Sequence, residues 1–189
     1  VDVVGIDLTP AYVRLANELS RRVGLAARVR FEAADALALP FPDASFDVAW
    51  TQHVQMNIAD KDRFFAEIFR VLRPGGRLAL YDILQGPGGE VAYPMPWASD
   101  PSMSHLATPE RFRAALEGAG LVVEQWEDVT AIARDWAARR YGAPPPANAA
   151  IVARLLGARN AAGAANIPRN LAEGRIALVE AIARRPAAA

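Results

Sequence analysis

The sequence predicts an α/β fold: a mostly parallel sheet with helices on both faces. Three observations predict it. Short apolar runs alternate with amphipathic helical stretches from Val1 to Asp128, the rhythm of strand–helix–strand units. The run Val1–Asp7 is apolar almost throughout, as a strand buried on both faces must be. Each candidate strand is also followed by polar residues at its carboxyl end: Asp7, then Asp35, then Thr51, Gln52 and His53, then Tyr81 and Asp82. In doubly wound sheets that edge lines the ligand crevice.

Val1–Asp7 is the first strand. Thr9-Pro10 supplies an N-cap and a first-turn proline. Tyr12, Leu15, Ala16, Leu19 and Val23 follow at helical spacing, and Gly24 stops that helix. Arg28–Glu32 is the second strand. Ala36–Asp43 is a loop broken by Pro40 and Pro42, with room for a short helix near Leu37. Ser45–Thr51 is the third strand, and Gln52–Ile58 the loop after it. Asp60 caps a helix with an apolar stripe of Phe64, Phe65, Ile68, Val71 and Leu72, ended by Pro74-Gly75-Gly76. Arg77–Ile83 is the fourth strand.

A Gly/Pro-rich loop then runs from Gln85 to near Met103; loops of that length are often lids or binding loops. Thr108-Pro109 opens a helix that turns Phe112, Ala115, Leu116 and Ala119 inward and stops at Gly120. Leu121–Asp128 is a strand. Beyond Val129 the rhythm changes. Helices are expected over Thr130–Tyr141 and Ala147–Asn160, with a breaker at Gly142–Pro146. A loose stretch, Ala161–Ala165, precedes one or two helical turns at Pro168–Glu173. Arg175–Arg184 suits a strand by Ile176, Leu178 and Ile182, and a helix by its alanines; it is read as a strand completing the sheet edge. The whole reads as one domain, 1–189, with an α/β core over 1–128, a helical insertion over 129–174 and a last strand over 175–184.

The 189 residues carry a formal net charge of zero, and 52% are hydrophobic. A sizeable core is possible. The neutral balance argues against nucleic acid or an anionic membrane as partner. There is no Cys, which excludes disulfides, thiolate metal sites and Cys nucleophiles. No signal peptide or membrane-length apolar run is present. A cytoplasmic protein is expected; nothing in the sequence bears on its oligomeric state.

The strand-end residues have chemistry available to them. Asp7 could accept two hydrogen bonds from vicinal ribose hydroxyls, or merely cap the following turn. Asp35 could accept from an exocyclic adenine amine while the Ala36 N–H reads the ring, or be another turn aspartate. Together at one ligand edge, they favour an adenosine-containing cofactor. His53 could serve as a general base, fill its loop, or bind a substrate carboxylate. Met56 could pack against a sulfonium or an adenine, or fill core. Tyr81 and Trp97 could wall a cationic amine, or be lid hydrophobes. A metal site is not expected, because His105 is the only other histidine and no paired ligand spacing exists.

Two stretches carry a resemblance. Asp35-Ala-Leu-Ala-Leu-Pro40-Phe-Pro-Asp43-Ala-Ser-Phe-Asp47 and Val71-Leu-Arg-Pro-Gly75-Gly76-Arg-Leu resemble signatures of class I S-adenosylmethionine-dependent methyltransferases of the small-molecule type. They come in the family's order and spacing, and Val4-Gly-Ile-Asp7 matches its acidic strand end. The likeness covers Val1 to Asp128 well. A narrower one, to sarcosine/dimethylglycine N-methyltransferases, rests on Gln52-His53-Val-Gln55-Met56-Asn57-Ile with Asp60-Lys61, on Pro94-Met-Pro96-Trp97-Ala98 and on Asn170-Leu-Ala-Glu-Gly174-Arg175.

The resemblance implies a Rossmann-like methyltransferase fold with a last antiparallel strand, S-adenosylmethionine as cofactor, and a small acceptor, foremost an amine such as sarcosine or dimethylglycine. Asp7 and Leu8 would meet the ribose and adenine, and Asp35 and Ala36 the adenine edge. Thr51 and Gln52 would meet the methionyl part. His53, Gln55, Met56 and Asn57 would face the transferring methyl or the acceptor, with Tyr81 and Trp97 on the substrate side.

The family's first strand and its Gly-rich turn are not among these residues, and Gly75-Gly76 and Gly88-Gly89 stand in the wrong places to replace them. The expectation is an N-terminally truncated enzyme. The alternative is a non-catalytic relative or interaction module. An NAD-dependent dehydrogenase shares the acidic strand end, but the two signatures argue against it.

Overall fold

A computed structural model describes residues 1–142 and 162–187. Its elements are β1 (Val3–Asp7), α1 (Pro10–Arg22), β2 (Val29–Ala33), β3 (Phe46–Gln52), α2 (Lys61–Val71), β4 (Leu72–Gln85), α3 (Pro109–Gly118), β5 (Val122–Asp128), α4 (Thr130–Gly142), a helix α5 over 162–172, and β6 (Ile176–Arg184). A single 3-10 turn, Gln55–Asn57, follows β3, and another, Pro101–Met103, sits in the long loop after β4. The expected helix over Ala147–Asn160 lies outside the described residues, as does most of Gly142–Pro146. Among the described residues no helix is long and apolar enough to cross a membrane.

The sheet is in two pieces. β1 and β2 pair in parallel, with Asp7 opposite Ala33. The other four strands run in the order β3-β4-β6-β5. There β3 and β4 are parallel, and β6 is antiparallel to both its neighbours. No described strand bridges β1 and β3, which is where a parallel sheet of this kind lacks its first strand. The methyltransferase-like last strand is thus present, but it is an inner strand and not the edge. Its composition explains why. Ala177, Val179, Ala181 and Ala183 face one buried cluster, while Ile176 and Leu178 face another. Small residues let helices approach a strand that is covered on both sides.

One face of the four-stranded sheet is covered by α2 and α3, through Phe64, Phe65, Ile68, Phe112 and Leu116 against Leu78, Leu80 and Leu84. The other face is covered towards the carboxyl end of β4, where Val91, Met95, Ala137 and Leu171 pack on Ile176 and Leu178. Its remainder is open. Val48 is 61% and Trp50 75% exposed, and a hollow of about 260 Å³ lies between Trp50, Tyr81, Gln125, Glu127 and Ile182.

Several local expectations are corrected. The stripe Tyr12, Leu15, Leu19, Val23 on α1 is exposed, and the helix buries Val13 and Ser20 instead. Asn17 holds α1 to the sheet, giving its Nδ2 to the Phe31 carbonyl and accepting from the Phe31 amide, both at 2.8 Å. No helix forms near Leu37; the prolines leave only turns. Helix α2 ends at Val71, before Pro74-Gly75-Gly76, because Arg185, Ala44 and Ser45 take up its last carbonyls. Residues 162–165, expected to be loose, already belong to α5.

Candidate functional site

Polar residues collect at the carboxyl ends of the parallel strands, in two groups. The first is on β1 and β2. Asp7 Oδ1 accepts from the Thr9 amide at 2.7 Å, so the aspartate and not the Thr9 side chain serves the start of α1. Asp35 Oδ1 accepts from the Leu37 amide at 2.8 Å. Each thus makes the local turn bond that an Asx residue offers. The second oxygen of each accepts no hydrogen bond among the described residues, and both residues are exposed at the same end of the pair. Leu8 stands 70% exposed beside them. Ala36 packs against the main core.

The second group sits at the ends of β3 and β4. Gln52 pairs with Tyr81, and the His53 amide donates to the Tyr81 carbonyl at 3.0 Å. His53 has φ 51°, a left-handed backbone uncommon for a side-chain-bearing residue. Its imidazole lies on the Tyr81 ring, centroids 4.6 Å apart. Burial holds the imidazole below the usual histidine range and raises Tyr81. At neutral pH His53 is therefore an uncharged base.

Thr51, Gln55 and Met56 point inward. Thr51 is 8%, Gln55 0% and Met56 1% exposed. The Gln55 Nε2 donates to the Ile83 carbonyl at 2.5 Å. Gln55 Oε1 and Thr51 Oγ1 have no hydrogen-bond partner among the described residues. Asn57 is exposed and ties the turn to the long loop, donating to the carbonyls of Trp97 (3.0 Å) and Met103 (3.2 Å). Trp97 is half-buried, with its indole N–H on Ser104 Oγ at 3.0 Å. The structure thus joins His53 to Tyr81 and Asn57 to Trp97. Among the described residues no hydrogen bond links these to the Asp7–Asp35 group.

Two residues were given no role in the sequence-derived site, Asp82 being named there only as a strand-end residue and Lys61 only within a motif. Asp82 is fully buried, and its Oδ2 has no hydrogen-bond partner. Burial raises its carboxyl to about 7, against the opposing pull of the Ile83, Gln55 and Val54 amides and of Lys61. Lys61, 4% exposed, gives its ammonium to the carbonyls of Gln55 (2.6 Å), His105 (2.7 Å) and Ile58. Burial lowers it to about 8. The signal was there: alternation places Asp82 in phase with Leu78, Leu80 and Leu84, on the face that must be buried.

The glycines of the long loop serve packing. Gly86 and Gly88 donate to the carbonyls of Arg175 (2.9 Å) and Gly174 (2.8 Å), and a Cβ on either would collide with that backbone.

A family profile described as Methyltransferase domain matches residues 1–80. Over those residues the chain is similar to methyltransferases. A 27-O-demethylrifamycin SV methyltransferase of Amycolatopsis mediterranei is 37% identical over 147 residues, 75% of this chain and 54% of that protein. A dimethylglycine N-methyltransferase of Parasynechococcus marenigrum is 30% identical over 118 residues, 60% of this chain and 42% of that protein. The chain spans about half the length of the curated relatives it matches.

Among solved structures, a geranyl diphosphate methyltransferase in complex with SAM superposes with a TM-score of 0.74 at 20% identity, over 97% of this chain and 68% of that one. The [4+2]-cyclase SpnF superposes at 0.71 and 27% identity, over 100% of this chain and 67% of that one. The fold is therefore the Rossmann-like methyltransferase fold, and the resemblance to class I S-adenosylmethionine-dependent methyltransferases holds at that level. The narrower likeness has no such standing, since relatives named for rifamycin, quinones and phosphoethanolamine match as well as the dimethylglycine enzyme.

Proposed function

We propose that this chain forms part of an S-adenosylmethionine-dependent methyltransferase acting on a small molecule, and that the acceptor is an amine of the sarcosine or dimethylglycine kind. The observation that carries the reading is the polar carboxyl edge: Asp7 and Asp35 on one sheet piece, and the His53–Tyr81 pair on the other. The residues present fit the cofactor. Asp7 and Asp35 each keep one carboxylate oxygen for a ribose hydroxyl or an adenine amine, and exposed Leu8 offers an apolar surface to the base.

S-Adenosylmethionine supplies a methyl group on a sulfonium, open to in-line displacement. The protein's part is alignment and proton handling. His53, neutral by burial, can take the proton of an ammonium acceptor and free its lone pair. The faces of Tyr81 and Trp97 suit a cationic amine. Residues 1–189 are taken as one domain in this reading.

Calorimetric titration of S-adenosylmethionine into the chain and into a version extended upstream tests the cofactor reading, with Asp7→Ala in parallel. Binding lost in Asp7→Ala is expected; no binding by either version overturns it. Mass spectrometry of sarcosine, dimethylglycine and non-amine acceptors incubated with enzyme and cofactor then tests the acceptor. Methylation of non-amines alone overturns the amine assignment. The SpnF likeness favours a second reading, a methyltransferase fold turned to another reaction. Cofactor binding without methylation of any acceptor is its signature.

A further inference from the structure

The turn carrying His53 is held from below by three successive residues of β4. The Tyr81 carbonyl takes the His53 amide at 3.0 Å. The Ile83 carbonyl takes the Gln55 side chain at 2.5 Å. Between them the Asp82 carboxylate accepts from the Ile83 amide at 3.3 Å, and the amides of Val54 and Gln55 favour its charged form. Asp82 is fully buried, and one of its oxygens makes no hydrogen bond. Such a carboxylate is costly unless something compensates it.

Lys61 is the nearby compensating charge. Its ammonium gathers the carbonyls of Gln55, Ile58 and His105, while the His105 amide returns to the Met56 carbonyl at 2.7 Å. One lysine, the only one in the chain, thus ties the 53–58 turn to the long loop that bears Trp97.

We propose that Asp82, backed by Lys61, is a positioning residue that holds His53 in its left-handed conformation on Tyr81, so that the imidazole faces the acceptor side of the crevice. The catalytic use of His53 rests on the proposed function above; the positioning itself does not. A left-handed histidine costs backbone energy and persists only where its surroundings over-determine it. The prop is pH-sensitive. The charged group that acts on Asp82 is Lys61 on α2; Arg111 on α3 acts on Lys61 and is itself paired with Asp62. On β6 its pairing neighbour is Val179, which carries no charge.

The test is a pH titration of the His53 ring signals by NMR in the wild type, Asp82→Asn and Lys61→Met, with His53→Asn for assignment. Packing against the Tyr81 ring, tilted by 53°, gives the His53 ring protons a ring-current shift, a signature that a merely structural role for Asp82 would leave in place. The expected result is a second inflection near 7 in the wild type. Asp82→Asn abolishes it and moves the ring signals towards exposed-histidine values. In the extended enzyme, Asp82→Asn then lowers kcat about tenfold or more, with a smaller change in cofactor affinity.

A folded Asp82→Asn with unchanged His53 signals overturns the proposal. If that variant does not fold, Lys61→Met decides. Loss of the ammonium must move the inflection to higher pH, and an inflection that is absent or stays fixed overturns the proposal. Unaltered turnover with displaced ring signals counts against His53 as the base and leaves the positioning intact.

Discussion

At the scale of single residues, the site is set by burial more than by pairing. Partial desolvation lowers the His53 imidazole although the residue keeps an exposed face, so its basic form survives below the ordinary histidine pKa. If it is the base, the acid limb of the rate profile falls below that value. His53→Asn should remove the limb and lower turnover about a hundredfold. Asparagine tolerates φ 51°, so the melting temperature should barely move. A rate profile that keeps its limb in His53→Asn assigns the proton transfer elsewhere.

Asp82 makes the opposite prediction for stability. Its carboxyl is raised to about 7, so the folded state keeps a proton that the unfolded chain loses in the ordinary carboxylate range. Stability therefore falls as pH rises through that interval. Burial is the largest influence and Lys61 the smallest, so removing the charge relieves more than it breaks. Asp82→Asn should leave the unfolding free energy unchanged near pH 4 and raise it at about pH 8, by about 1 kcal/mol or more in denaturant unfolding. Lower stability at the higher pH would show the attraction of Lys61 to dominate.

At the scale of elements, the two family signatures are each other's partners. The loop 37–45 wraps the end of α2. Glu67, whose side chain is 6% exposed, accepts from the Leu39 amide and from Arg70. Arg70 gives its other donors to Leu39, Phe41 and Asp43, and Arg63 reaches Leu37. Ala44 and Ser45 amides take the carbonyls of Arg70 and Val71. From the far end of the chain, Arg185 Nη1 donates to the carbonyls of Phe69, Arg70 and Leu72, with its guanidinium 4.5 Å from the Phe69 ring.

This is a helix C-terminus closed by a cation, where the macrodipole favours one. Arg185→Ala should cost about 2 kcal/mol in denaturant unfolding. Arg185→Lys, without the planar fork, should recover only part of it. Full recovery by lysine would reduce the contact to bare charge. The strands, the helix caps at Asp60 and Thr108 and the polar carboxyl edge were legible in the sequence because each follows from local spacing. The end of α2 was not, since the groups that stop it lie at Ala44 and Arg185, far away in the chain. The inner position of β6 was hidden for a related reason: its alanines report the approach of helices, which spacing alone does not reveal. Asp82 could have been found by its phase on β4; Lys61 could not, because a lysine at a helix start ordinarily faces water.

At the scale of the whole molecule, the two sheet pieces cannot be equally stable. The α1–β1–β2 unit buries only Val13 and Ser20 among its residues, and leaves Leu15, Leu19 and Val23 in solvent. A two-stranded sheet depends on the helix packed on it, and α1 buries little. The four-stranded piece carries both buried clusters. Native-state hydrogen exchange should find amides of β1 and β2 opening at least about 2 kcal/mol more easily than those of β4 and β6.

The same asymmetry reports on ligand. If Asp7 and Asp35 hold the cofactor, binding must stabilise the weaker piece, by an amount set by affinity and free concentration. S-Adenosylmethionine should then slow exchange first at Val3–Asp7 and Val29–Ala33, and leave β6 nearly unchanged below the global limit. Asp7→Ala should abolish that protection. Equal slowing in both pieces would mean that the ligand acts only on global unfolding, and protection confined to β3 and β4 would place it at the His53–Tyr81 end alone.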